Sequence, residues 1–125
     1  MKIKTNDAKI GFAKILGKQL KPVCGDIVKI KKEENEPELI ITDILPRKNS
    51  LSRKNKYKKK EVLASNLSHI VIIVSNPPSP DWHIVDRYIG AAETMGIDAF
   101  IICNKDDLKW VDKEIISILN TYQNI

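Results

Sequence analysis

At 125 residues the chain has room for one ordinary domain or two very small ones. Hydrophobic residues at 42% and charged residues at 30% are ordinary for a globular protein, and no apolar run reaches the roughly 20 residues of a membrane-spanning helix. The net charge of +5 conceals a division: residues 1–66 hold 17 Lys and Arg against 8 Asp and Glu, whereas residues 67–125 hold 4 against 8. The first part suits a polyanion and the second does not, so two units, 1–66 and 67–125, are expected to serve different partners.

In chain order, the opening MKIKTNDAK lacks the apolar core of a signal peptide, and a cytoplasmic location is expected. The alternation of Lys9 to Leu20 is more strand-like than helical. Gly11 and Gly17-Lys18 imitate a phosphate loop, but five residues intervene where the motif needs four, and Gln19 stands where Ser or Thr should hold magnesium. That reading is rejected. Lys21 to Asp26 reads as a turn into a strand, Ile27–Lys31; a charged hairpin loop over 32–37 leads to a second strand, Leu39–Leu45, ended by Pro46. The run RKNSLSRKNKYKKK follows, then a short strand from Glu61 to Ala64. Short strands between Gly, Pro and charged turns favour a small β-barrel. Arg47, Lys48, Arg53, Lys54, Lys56, Lys58, Lys59 and Lys60 can neutralise phosphates without reading bases, and Tyr57 can stack on an unpaired base. RNA contact is expected there, although charge runs are commonly no more than solvated loops. Cys24 and Cys103 lie far apart with no Cys-x-x-Cys or His-rich spacing, so buried free thiols and no metal site are expected.

From Ser68 the pattern changes. His69 to Val74 is an unbroken β-branched run, the mark of a strand buried on both faces. SNPPSP breaks it, and Ser79 or Asp81 can cap a helix whose inner face carries Ile84, Val85, Tyr88, Ile89, Ala92 and Met95, stopped by Gly96. Ala99 to Cys103 is the next strand, which makes a parallel β-α-β unit. A final helix, capped by Asp112, turns Ile115, Ile116, Leu119 and Tyr122 inward. Two parallel strands leave apolar edges and faces uncovered, so this half is expected to be incomplete by itself, either as a fragment or until an association completes the sheet. His69 and His83 have no acidic or cysteine partner at useful spacing, Trp82 and Trp110 read as packing residues, and Asp86 and Arg87 read as local pairs or loop caps; no catalytic residue is expected.

Asp98 to Leu108 carries the sharpest motif. Asn104-Lys105-Asp106-Asp107 fits Asn-Lys-x-Asp, the guanine-reading pattern of GTP-binding proteins. A carboxylate at Asp107 can accept from guanine's ring N–H and its exocyclic amine together, a donor pair that adenine lacks. Asn104 can donate to the base or tie neighbouring loops, and Lys105 can lay its aliphatic stem along the ring. The motif follows a strand, where open α/β sheets bind ligands. A polar turn of the same composition also arises with no ligand to bind, so its surroundings must decide.

Those surroundings are specific. Pro22-Val23-Cys24-Gly25-Asp26, then Ile44-Leu45-Pro46-Arg47-Lys48-Asn49-Ser50-Leu51-Ser52-Arg53, Ala64-Ser65-Asn66, and His69 to Ser75 come in series. Asp86-Arg87-Tyr88, Ala91-Ala92-Glu93, Gly96-Ile97 and Asn104 to Leu108 complete it. Over roughly residues 21 to 110 the chain thereby resembles the N-terminal part of the ribosome small-subunit-dependent GTPase A family, the circularly permuted GTPases of 30S maturation. The resemblance implies a fold of class β + α/β. An OB-like barrel would bind the 30S subunit and its 16S rRNA, and an incomplete β-α-β-α start of a permuted P-loop GTPase domain would follow. About four of the barrel's five strands are legible, so its first strand is expected to be absent or altered. The resemblance further implies GTP or GDP as ligand, with Asn104, Lys105 and Asp107 as the guanine contacts. The chain departs from the family in having no GxxxxGK[ST] loop, no Asp-x-x-Gly switch, no Ser-Ala guanine contact and no zinc module. Hydrolysis by this chain alone is not expected, because the groups that hold phosphate, magnesium and water are not encoded in it. Two readings stay open: part of a ribosome-assembly GTPase, or a stand-alone RNA-binding protein with a vestigial nucleotide loop.

Overall fold

The computed structural model describes residues 1–17, 19–32, 38–105 and 113–123, which fall into two units, Met1–Leu67 and Ser68–Ile125. The expected loop over 32–37 lies mostly outside the described residues, as do Asp106, Asp107, Leu108, Trp110 and Asp112.

The first unit is built of strands: β1 (Lys2–Lys4), β2 (Ile10–Ile15), β3 (Val28–Lys32), β4 (Leu39–Ile44), β5 (Ser50–Lys54) and β6 (Lys60–Ser65). Four of them form one sheet in the order β1-β2-β4-β3, with β1 antiparallel to β2, β2 parallel to β4, and β3 antiparallel to β4. β5 and β6 pair antiparallel with each other, and an isolated parallel bridge joins Cys24 to Ala64. Two strands exceed the expectation. β1 supplies an opening strand that three alternating residues, Lys-Ile-Lys, do not announce, and β5 lies inside the basic run, which is therefore a hairpin arm and not a loop. The expected barrel does not close among the described residues, because β5 and β6 have no ladder to the four-stranded sheet. The buried core of this unit is small, comprising Ala13, Ile40, Ile41 and Ser65. Lysines alternate with apolar residues along β1 and most of β3, so each of these strands offers at most one face for burial.

The second unit runs β7 (His69–Ser75), α1 (Trp82–Met95), β8 (Asp98–Asn104) and α2 (Lys113–Tyr122), with β7 and β8 paired in parallel from His69 opposite Asp98 to Ser75 opposite Asn104. α1 begins at Asp81, whose carboxylate accepts from the His83 and Ile84 amides at 3.1 and 3.4 Å, satisfying donors that a helix end leaves orphaned. It ends in a Schellman motif: Gly96 takes φ 65°, its N–H donates to Glu93 O at 3.0 Å, and the Ile97 N–H donates to Ala92 O at 3.1 Å. Asp81→Ala should therefore lower stability by about 1 kcal/mol, as chemical denaturation would measure.

Burial in β7 alternates. Ile70, Ile72 and Val74 are buried, as are Val85 and Ala92 of α1 and Ile115 of α2. The expectation of a strand covered on both faces is therefore corrected: Val71 and Ile73 on β7, with their register partners Phe100 and Ile102 on β8, are exposed. The β-branched run describes a strand suited to burial on both sides, but the described residues cover only one. Ile84 and Ile116 also turn outward, so the inner helix faces are narrower than expected. Tyr122 stacks on Trp82 with ring centroids 5.9 Å apart and donates its hydroxyl to Asp86. Burial, then the Asp86 carboxylate, push the phenol up to about 12, which keeps it a donor across the ordinary pH range. Cys24 and Cys103 are both exposed, which corrects the expectation of buried thiols.

Candidate functional sites

The first candidate lies at the carboxyl ends of β7 and β8, where Ser75 and Asn104 are the last paired residues. Both strands end there. Asn104 Oδ1 accepts from the Lys105 backbone N–H at 2.9 Å, a local bond that helps hold Lys105 in the left-handed conformation at φ 60°. The Lys105 ammonium reaches back across 28 positions to donate to Pro77 O at 2.9 Å, tying this turn to the loop that leaves β7. That loop contains cis peptide bonds before Pro77 and Pro78. Asn104 and Lys105 are exposed, so the corner is open to a ligand. Asp107, the expected base-reading carboxylate, lies outside the described residues. No cluster of three or more His, Cys, Asp or Glu able to hold a metal ion occurs among the described residues, and no helix among them is long and apolar enough to cross a membrane.

The second candidate is the β5–β6 arm. Its tip is a five-residue turn, Asn55 to Lys59, in which the Asn55 N–H donates to Lys59 O at 2.9 Å and the Lys58 N–H donates to Asn55 O at 2.8 Å. The Asn55 carboxamide oxygen accepts from the Tyr57 and Lys59 amides at 2.9 and 3.0 Å, and Lys58 takes φ 59°. One side chain thus fills the turn from within, as Asn does at such positions. Lys54, Lys56, Lys58, Lys59 and Lys60 all project into solvent around Tyr57, which is 69% exposed and lies 5.0 Å beneath the Lys56 ammonium. Across the ladder Arg53 faces Glu61 and pairs with it at 3.3 Å, but Lys54 faces Lys60. Like charges placed directly opposite oppose folding.

Two of the expected RNA contacts sit elsewhere. Lys48 is exposed at the foot of the arm, with its backbone N–H bonded to Asn66 Oδ1 at 2.8 Å. Arg47 is engaged inside the unit: its Nε and one terminal nitrogen donate to the Asp26 carboxylate at 2.6 and 2.7 Å. The Asp26 side chain is only 1% exposed, and it also accepts from Ser65 Oγ at 2.6 Å and the Val23 amide at 2.8 Å. The Arg47 hydrogen bonds hold this carboxyl well below the usual carboxylate range; burial opposes them, and Ser65 and Val23 add to the lowering. Sequence reasoning grouped Arg47 with its basic neighbours and passed over Asp26. The available signal was an acidic residue directly after Gly25 in a turn between apolar residues, which needs a basic partner if it is buried.

Compared with known proteins, residues 44–125 match the family model described as RsgA GTPase. Curated relatives carry the name small ribosomal subunit biogenesis GTPase RsgA. One from Neisseria meningitidis serogroup C is 35% identical over 106 residues, covering 85% of this chain and 34% of the relative. One from Neisseria gonorrhoeae is 34% identical over 115 residues, covering 89% and 37%. One from Actinobacillus pleuropneumoniae serotype 5b is 37% identical over 108 residues, covering 82% and 31%. The chain spans about a third of the length of the relatives it matches.

Proposed function

The chain belongs to the RsgA GTPase family, and on that footing we propose that it supplies the part of a ribosome-assembly GTPase that engages the small subunit and reads guanine. The Met1–Leu67 unit acts as the OB-like module that meets 16S rRNA, through Lys54, Lys56, Lys58, Lys59 and Lys60 with Arg53, Lys48 and the Tyr57 ring. The observation that carries this reading is Lys54 opposite Lys60. A hairpin selected for stability alone would not set two lysines face to face, whereas one selected for a polyanion would tolerate the repulsion. Binding in the cytoplasm to ribosomal phosphates, with counterion release as its main driving force, follows.

The β7–β8 corner supports the second half of the reading. Asn104 and Lys105 are exposed beyond the ends of two parallel strands, where nucleotides sit in open α/β sheets. Asp107 is assigned the guanine ring N–H and amine. Phosphate contacts supply most of the affinity in such sites, and hydrolysis further needs groups that position magnesium and water; this sequence carries no GxxxxGK[ST] loop or Asp-x-x-Gly switch to supply them. The exposed face of Val71, Ile73, Phe100 and Ile102 is where the rest of a permuted GTPase sheet domain would cover it.

Co-sedimentation of the chain with small ribosomal subunits over a salt series tests the first half. Binding should be clear at low salt and fall steeply as salt rises, and its absence at low salt would sink the RNA reading. Titration with GDP and ADP tests the second. Binding of GDP should be weak or undetectable, and micromolar affinity with discrimination against ADP would show that this chain needs no further phosphate-holding groups.

A further inference from the structure

We propose that Arg47 is a positioning residue for the basic arm and makes no contact with RNA phosphate. The inference rests on the RNA reading above and refines it. Three stretches meet about the Arg47–Asp26 pair. The first is the turn Val23 to Asp26, the second is Arg47 to Asn49 at the foot of β5, and the third is Ser65 to Leu67 at the end of β6.

Asp26 is the centre of this clasp. Its two carboxylate oxygens receive Arg47 on one side and the Ser65 hydroxyl and Val23 amide on the other. Backbone bonds continue the join: the Ser65 N–H donates to Cys24 O at 2.9 Å, and the Asn66 side-chain amide donates to Gly25 O at 2.9 Å. On the far side the Asn49 carboxamide holds both backbone groups of Leu67, donating to its carbonyl at 2.9 Å and accepting from its N–H at 2.8 Å. The foot of each arm strand is thus bonded to a loop outside the arm. A carboxylate this buried needs a counter-ion, and a bidentate guanidinium fits it in charge and shape. Nε and one terminal nitrogen are turned to Asp26, that terminal nitrogen also lies 3.5 Å from Lys21 O, and the side chain is only 26% exposed, so the guanidinium is held inside the unit and little of it faces a phosphate. Its role is to fix the base from which the lysines project.

The test compares the full chain with Arg47→Met, with Asp26→Asn/Arg47→Met, and with Lys56→Gln/Lys58→Gln. Amide hydrogen exchange is followed at Val23 and Ser65, and binding to a labelled oligouridylate is followed over a salt series. Arg47→Met leaves Asp26 buried and unpaired, so exchange at Val23 and Ser65 should quicken by roughly a hundredfold. The double variant removes both charges and should recover much of that loss. It also keeps the unit folded should Arg47→Met fail to fold, and its salt slope for oligouridylate should equal that of the unaltered chain. The lysine variant should do the reverse, with slow exchange retained and the slope flattened by about 1.4 for two lost contacts to a single strand. A flattened slope in Asp26→Asn/Arg47→Met, or unchanged exchange in Arg47→Met, overturns the proposal. If the unaltered chain binds no oligouridylate at low salt, the RNA reading loses support while exchange in Arg47→Met still decides the positioning role.

Discussion

Gly25→Ala should unfold a large share of the Met1–Leu67 unit, the most damaging single-methyl change expected in that unit. A Cβ at Gly25 would stand 1.9 Å from the Ser65 carbonyl oxygen and 3.0 Å from its carbonyl carbon, distances no relaxation of a side chain can relieve because both atoms are backbone. Ser65 cannot easily withdraw. It is 1% exposed, its N–H is bonded to Cys24 O, and its hydroxyl is bonded to Asp26. Gly25 also has φ +91°, which L side chains rarely adopt. Strain of that kind alone is worth about 1 to 3 kcal/mol, and the backbone collision adds to it, so a loss above about 3 kcal/mol is expected. A unit of this size holds a total stability of roughly 3 to 10 kcal/mol. Gly17→Ala is the control that separates the two effects, because Gly17 has φ +85° with nothing within 4 Å of the added methyl. It should lose only the conformational part, about 1 to 2 kcal/mol. Urea denaturation of both variants, read by circular dichroism, would decide the matter. Equal losses in the two would mean that Ser65 yields and the close approach is unimportant.

The second large effect is on binding. Changing Lys54, Lys56, Lys58, Lys59 and Lys60 together to Gln should reduce affinity for small ribosomal subunits by on the order of a thousandfold near 0.1 M salt, if each lysine meets one phosphate of a single-stranded segment. Stability should move the other way or not at all. All five side chains are exposed, and removing the Lys54–Lys60 opposition relieves a repulsion. Binding that persists undiminished, with the same salt slope, would move the RNA contact away from the arm. Unfolding of the variant would mean that the lysines are structural.

Much of the Ser68–Ile125 unit was legible because its signals are redundant. The helix α1 has an apolar face, an acidic cap at Asp81 and a stop at Gly96, three independent marks of one element. β7 and β8 are apolar runs bounded by polar turns. What the run His69–Val74 does not reveal is which face gets covered, since that depends on residues packed against the strand and not on the strand itself. In the Met1–Leu67 unit the charge pattern was a poorer guide. β5 escaped notice because Arg53 and Lys54 break its apolar content, and the turn-forming Asn55 was lost among lysines. The pairing of Arg47 was hidden for a similar reason: adjacency in a basic run says nothing about which guanidinium turns inward to a distant carboxylate. For the β7–β8 corner, Asn104 and Lys105 were readable as a motif, whereas the reach of Lys105 to Pro77 depends on the parallel register of two strands.

If the arm meets RNA as proposed, the Asn55 turn sets what the encounter costs. With that side chain accepting two amides inside a closed five-residue tip, the arm is folded before any partner arrives. Chiefly the outer rotors of its lysines and Tyr57 would remain to be immobilised, with little backbone entropy to surrender. On the proposed RNA reading the arm would act as a stiff prong, its association governed by long-range attraction and collision geometry with no folding step to slow it.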